Sequence, residues 1–336
     1  MTRSNGIVPS LVDRFGRVVR SLRISLTDRC NYRCLYCLPA VLPTLSSSRK
    51  DLMTFEEIVF IARIASEMGI RRFRLTGGEP LLRKGIEGLI AMLSREVTPE
   101  DLSLTTNGYL LAEKARGLKE AGLMRITVSV DSRDGSVYRS MTRAGEIERV
   151  WKGVEEAIAV GFQEVKINVV VLKGINDQEV EGWVAWTREN PVIVRFLELM
   201  PVGEGERLFR EGRYANLVEI RESLKERYGL EPASPPVPGS GPARYYHLPR
   251  GKGLVGFITP ISEPYCDRCS RFRLSVRGIL CPCLAYELGV DLKEPARAQD
   301  EKGVREGFLR AVALKPWGHR WHEGEGTSRS MAQIGG

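Results

Sequence analysis

Between residues 20 and 199, short runs rich in β-branched residues alternate with longer stretches whose apolar positions recur three and four residues apart. The short runs read as strands over 22–27 (LRISLT), 72–76, 102–106, 125–130, 165–171 and 192–199. Helical periodicity fills the gaps, as in 55–68, 110–122 and 148–161. Strand then helix, six times over, implies a parallel sheet, because parallel neighbours need a crossover between them. A closed barrel takes eight such units. The pattern therefore predicts an α/β fold, a partial (β/α)6 TIM-type barrel with a side entrance.

The stretch 231–243, EPASPPVPGSGPA, breaks this periodicity with proline, glycine and serine and reads as a linker. It predicts two domains, a barrel over 1–230 and a cysteine-bearing C-terminal domain over 231–336. A hydrophobic content of 43% over 336 residues is that of a globular chain with a real core, not of a disordered one. The first residues contain no apolar leader, and no run of eighteen apolar residues occurs, so the expectation is a cytoplasmic protein with no membrane contact. The net charge of +8 would suit a polyanion. It is not gathered into one long basic tract, which favours a phosphorylated small molecule over nucleic acid, although a well-solvated surface would carry the same charge.

Six of the seven cysteines fall into two trios, Cys30, Cys34 and Cys37 directly after the first strand, and Cys266, Cys269 and Cys283 near the end. Close spacing in a reducing compartment favours metal ligation over disulfides. Zinc is one reading of the Cys34–Cys37 pair, but it would want a fourth ligand, and His247, His319 and His322 lie far downstream. A cubane iron–sulfur cluster takes one cysteine per iron. Two three-cysteine sites thus suggest two clusters, each with one iron open to a ligand. Loops after barrel strands form the active face, so the first trio is expected in the catalytic mouth.

The motif CNYRCLYC, followed by Gly77, Gly78, Glu79 and Pro80 after the second strand, resembles the radical S-adenosylmethionine (SAM) superfamily. The second trio, spaced C-x2-C-x13-C, narrows the likeness. With DRFGRVVRSLRISLTDRCN, RLTGGEPLLR, LTTNGYLL, SVDS, VVVLKGIND, RFLELMPVG and a closing IGG, the chain resembles the GTP 3′,8-cyclase family of molybdenum-cofactor biosynthesis along nearly its whole length. Cys281 departs from the pattern; family spacing assigns Cys283 as the third ligand and leaves Cys281 an extra thiol.

The resemblance implies two [4Fe-4S] clusters on these trios and a SAM-derived radical that cyclises GTP. It implies SAM contacts at Tyr36, Gly78, Ser129 and Met200, and GTP contacts at Arg23, Arg74, Thr105, Lys166, Arg271, Phe272 and Arg273, with Arg195 as an addition. Gly335 and Gly336 would reach into the active site and assist the radical step, where a frayed tail is the plainer reading. Further implied partners are an electron donor of the reduced flavodoxin or ferredoxin type, a downstream cyclic pyranopterin monophosphate synthase, and a second copy of the chain in a homodimer. From the residues alone, Arg271 and Arg273 stand two apart in an extended segment and so share a face, and two guanidinium forks suit a triphosphate. Two other functions compete: a peptide-maturing radical SAM enzyme, which would carry more auxiliary cysteines, and an iron–sulfur electron carrier, which would leave the GGEP loop without a role.

Overall fold

The structure is a computed structural model and describes residues 11–41, 51–235, 237, 241–323, 327 and 331–334. The six expected strands are present within a residue or two as β1 (Ser21–Ser25), β2 (Arg72–Thr76), β3 (Asp101–Thr106), β4 (Arg125–Ser129), β5 (Glu164–Val171) and β6 (Ile193–Glu198). They pair in chain order and in parallel. The expected helices form over Phe55–Glu67, Leu111–Glu120 and Ile147–Ala159. The first starts at Thr54, whose hydroxyl accepts from the Glu57 N–H while the Glu57 carboxylate accepts from the Thr54 N–H, a reciprocal cap that fixes its first turn.

Each strand has an apolar outward face and a polar inward one. Leu22 and Ile24, Phe73 and Leu75, Leu102 and Leu104, Ile126 and Val128, Ile167 and Val169, and Val194 and Phe196 are buried in one continuous core with the helices. The intervening positions carry Arg23, Arg74, Ser103, Thr105, Asn168 and Arg195, which line a cavity inside the sheet. A packed barrel is filled by branched apolar side chains. Here the inner row is polar, so the interior stays open.

The segment after residue 230 extends the same sheet at both edges. Its strands are β7 (Glu231–Ala233), β8 (Arg244–His247), β9 (Leu254–Ile258), β10 (Arg271–Leu274), β11 (Ile279–Cys281) and β12 (Val290–Asp291). The full order is β12-β11-β10-β1-β2-β3-β4-β5-β6-β9-β8-β7. β10 lies parallel to β1 and β9 parallel to β6, so the two parallel strands missing from the six-unit pattern come from the C-terminal segment. The outer strands are antiparallel.

Beneath the cavity lies a buried charge cluster. Arg125 donates to Asp101 at 2.6 Å and to Glu164 at 2.7 Å, and Lys166 approaches Glu164 at 2.7 Å. All four side chains are at most 6% exposed. Removing one member of such a cluster leaves buried charge uncompensated. We expect Arg125→Leu to lower stability by about 3–5 kcal/mol, read as a shift in the denaturant midpoint under anaerobic conditions.

Candidate active site

The first trio sits at the C-terminal end of the barrel strands. Its loop leaves β1 through Leu26, whose N–H donates to Thr76 O at 2.8 Å, and is then clamped by the loop that follows β2. Gly78 N–H donates to Thr27 O at 2.6 Å and Glu79 N–H to Arg29 O at 2.8 Å. A Cβ at Gly77 would stand 2.5 Å from Thr27 O, and one at Gly78 2.2 Å from Arg29 O. These glycines therefore let one backbone lie against another immediately before Cys30. Glu79 is fully buried and ties in a third loop, accepting from Thr106 Oγ1 and from the Asn107 N–H, both at 2.7 Å. Burial pushes its carboxyl up to about 7.

Burial raises the Cys30 thiol to about 11 and the Cys37 thiol to about 12, and pushes Cys34 up as well. Asp131 and the neighbouring thiols add to the effect at Cys34 and Cys37, with Cys30 acting on both. Such thiols ionise only beside a strongly cationic group. Asp131 accepts from the Tyr36 hydroxyl at 2.7 Å and from the Val170 N–H at 2.9 Å, which fixes Tyr36 next to the trio. The short helix Met331–Ile334 closes over this end: the Ala332 N–H donates to Cys37 Sγ, and Ser25 Oγ donates to Ala332 O at 3.3 Å. Gly335 and Gly336, which follow it, lie outside the described residues.

The second trio sits at the other end. Cys266 and Cys269 precede β10, and Cys283 follows β11; because β10 runs parallel to β1 and β11 antiparallel to it, all three gather near the N-terminal end of β1. Arg17 fastens this corner, donating to Cys266 O and Trp317 O at 2.6 Å and to Pro316 O at 2.5 Å, with Asp13 as its counter-ion. At Cys269 burial opposes the thiolate, but Arg271 and Lys315 outweigh it and hold the thiol down at about 6. Cys283 lines the cavity and interacts electrostatically with Cys266 and Cys269. Cys281 is buried in β11, its thiol facing Ile279 O and the Gly289 backbone.

Among the described residues no group of three or more His, Cys, Asp or Glu side chains closes around a point that a single ion could fill. Each site offers three thiol donors, a set that fits a cubane cluster with one iron left open.

Between the two ends lies a cavity of about 430 Å³. Arg23, Arg74, Arg195, Arg271 and Arg273 line it, with Thr105, Met200, Met331 and all three cysteines of the second trio. Sheet register aligns Arg273 with Arg23 and Arg23 with Arg74. Burial and mutual repulsion lower Arg74 to about 9 and Arg273 to about 10, and pull Arg23 down too. Such a row wants an anion with several charges.

Two sequence-derived contacts sit differently. Lys166 is 1% exposed and bound to Glu164 in the barrel floor, and the Phe272 ring points into the core against Phe308, so only its backbone faces the cavity strand. Ser129 ends β4 near Asp131, and Gly78 is engaged with the cysteine loop. Residue-type reasoning passed over Asp131, Arg17 and Lys315. Of these, Lys315 left a trace, a lone charge in the apolar run AVALKPW.

An open barrel with three convergent thiols at its mouth and a glycine-glycine-glutamate loop against them is the architecture of the radical SAM superfamily, whose family model matches residues 24–187. A second model, Molybdenum Cofactor Synthesis C, matches residues 192–321. The GTP 3′,8-cyclase of Moorella thermoacetica is 44% identical over 96% of this chain and 99% of its own length, that of Heliobacterium modesticaldum 44% over 97% and 100%, and that of Petrotoga mobilis 40% over 97% and 100%. The chain belongs to the GTP 3′,8-cyclase family. In fold it is similar to Streptococcus suis SuiB, with a TM-score of 0.59 at 14% identity over 88% of this chain and 69% of that one.

The clamp on the first trio is testable by itself. In a chain whose second trio is replaced by alanine, Gly78→Ala should reduce bound iron to less than half of the parent's, because the new Cβ displaces the backbone that carries Cys30. Iron analysis and the visible absorption of the reconstituted protein report it.

Proposed function

We infer that this chain is a radical SAM GTP 3′,8-cyclase that converts GTP to (8S)-3′,8-cyclo-7,8-dihydroguanosine 5′-triphosphate, the first step of molybdenum-cofactor biosynthesis. The observation that carries this is the single cavity that joins the second thiol trio to a row of arginines, in a chain similar to GTP 3′,8-cyclases over nearly its full length. When bound, a [4Fe-4S] cluster on Cys30, Cys34 and Cys37 and its SAM supply one electron and a radical that takes hydrogen from the ribose 3′ carbon.

The remaining work belongs to the chain. Tyr36, Gly78, Ser129 and Met200 would hold SAM at the mouth, with Tyr36 kept in place by Asp131. Arg23, Arg74, Arg271 and Arg273, with Arg195, would neutralise the triphosphate, and Thr105 would add a contact from the cavity wall; Phe272, whose ring is in the core, would contribute through its backbone. Lys166 would act from the floor, where the first effect on its amine is burial, which lowers it to about 7. Fixing the ribose against the radical and the guanine C8 against the ribose is the main task, since such positioning is worth about 7 to 11 kcal/mol of barrier.

Cys266, Cys269 and Cys283, with Cys281 outside the set, would hold a second [4Fe-4S] cluster, which would supply an open iron to the guanine edge. Gly335 and Gly336 would reach into the active site and assist the radical step. In this reading 1–230 is the radical SAM partial barrel with the first cluster, and 231–336 the C-terminal domain with the second cluster and the Gly-Gly tail, and both contribute GTP contacts. An electron donor of the flavodoxin or ferredoxin type, a downstream cyclic pyranopterin monophosphate synthase, a homodimer and a cytoplasmic location complete the reading. No helix among the described residues is long and apolar enough to cross a membrane.

Anaerobic incubation of reconstituted protein with SAM, a reductant and GTP should yield 5′-deoxyadenosine and a cyclised nucleotide by mass analysis. Deoxyadenosine without a cyclised nucleotide would overturn the substrate assignment. Arg271→Ala and Arg273→Ala should each weaken GTP binding ten-fold or more, as expected when a charged hydrogen bond worth roughly 1.5 to 3 kcal/mol is lost. Guanosine binding should change far less, and equal losses for the two ligands would remove the phosphate role.

A further inference from the structure

Lys315 lies only 1% exposed, at the end of the helix Glu301–Ala313, and its ammonium makes three contacts. It donates to Arg271 O at 3.0 Å and to Pro282 O at 2.8 Å, and stands 3.7 Å from Cys269 Sγ. The first carbonyl belongs to the strand that follows Cys266 and Cys269, and the second to the residue before Cys283. One buried cation therefore ties together the two chain segments that carry the trio.

The ammonium also sits 5.5 Å from the Phe272 ring centroid, on the core side of β10, whereas Arg271 and Arg273 line the cavity. Lys315 is not part of the cavity wall, so a ligand held there would meet it only through Cys269 and the backbone. Charged and titratable groups around it are Cys269, Cys283, Arg17 and Arg271. A buried lysine whose ammonium is aimed at both ligand-bearing segments, when methionine would fill the same volume, marks a site where the charge matters.

We propose that Lys315 is a positioning residue of the second thiol site, holding the Cys269 and Cys283 segments in register and setting a fixed positive charge against the Cys269 sulfur that raises the reduction potential of a cluster bound there. This rests on the reading of Cys266, Cys269 and Cys283 as cluster ligands. Cationic and hydrogen-bonding neighbours of a ligating sulfur stabilise the more negative, reduced cluster. A higher potential makes a cluster bound there easier to reduce.

The test uses a full-length chain with Cys30, Cys34 and Cys37 replaced by alanine, so that all cluster signal comes from the second trio. In that background the parent should bind about four irons; if it binds none, the ligand assignment fails and Lys315 is not at issue. Lys315→Met should lower iron content and shift the midpoint of an EPR-monitored redox titration to lower potential. Lys315→Gln keeps a donor without the charge; it should fold, retain more iron than Lys315→Met, and still shift the midpoint down. Lys315→Arg should stay close to the parent. Parent-like iron and midpoint in both Lys315→Met and Lys315→Gln would overturn the proposal, as would a midpoint shift in Lys315→Arg as large as in Lys315→Gln.

Discussion

The structure turns on confining positive charge inside a barrel. Arg23, Arg74, Arg195, Arg271 and Arg273 project into one cavity, where low dielectric amplifies their repulsion and removes the hydration that would offset it. Three devices make this tolerable. Asp101 and Glu164 sit in the floor beside Arg125 and Lys166. The Cys269 thiolate pairs electrostatically with Arg271 at one end. The third is an incoming polyanion, for which the remaining unbalanced charge is a preorganised site that needs no rearrangement at the moment of reaction.

That charge is positioned by the sheet and not by loops. Register puts Arg273, Arg23 and Arg74 on three adjacent parallel strands at one height, and the outward apolar residues between them lock each strand into the helical layer. Slipping any strand by one residue would send arginines into the core and leucines into the cavity. A site on strands is held more rigidly than one on loops. The loops at the two ends are in turn pinned by backbone contacts, the glycine clamp at the first trio and the Arg17 and Lys315 anchors at the second.

Much of this was legible in the residues. Strand and helix positions followed from periodicity because each β/α unit buries a local amphipathic face, and the trios followed from spacing because ligands of one cluster are close in sequence. The part that did not follow is long-range. Nothing in RFRL says that this strand pairs with LRIS almost 250 residues earlier, so the C-terminal segment reads as a separate domain although its strands complete the barrel sheet. The ion pair of Lys166 with Glu164, two residues away on the same strand face, is a pairing that sequence displays only once the face is known to be inward. An overlooked signal was the alternation itself. Parallel strands covered on both faces usually run continuously apolar, whereas LRIS, RFRLT and LSLTT alternate, which already marks a polar, open interior.

Embedding the C-terminal strands in the sheet has a consequence for chemistry. The two thiol trios stand at opposite ends of the barrel strands, the first beyond the C-terminal end of β1 and the second beyond the N-terminal end of β10 beside it. Their separation is therefore set by the length of a hydrogen-bonded strand pair, not by a mobile contact between domains. On the function proposed above, a nucleotide in the cavity would have its base at the second trio and its ribose toward the first, with the arginine row against its phosphates. Radical transfer tolerates little error in distance, because a near-attack geometry needs reacting atoms about 3 to 3.5 Å apart. A rigid parallel ladder joining the two ends is the arrangement that holds such a tolerance without any closing motion, and it explains why the C-terminal segment enters the barrel sheet instead of merely docking on it.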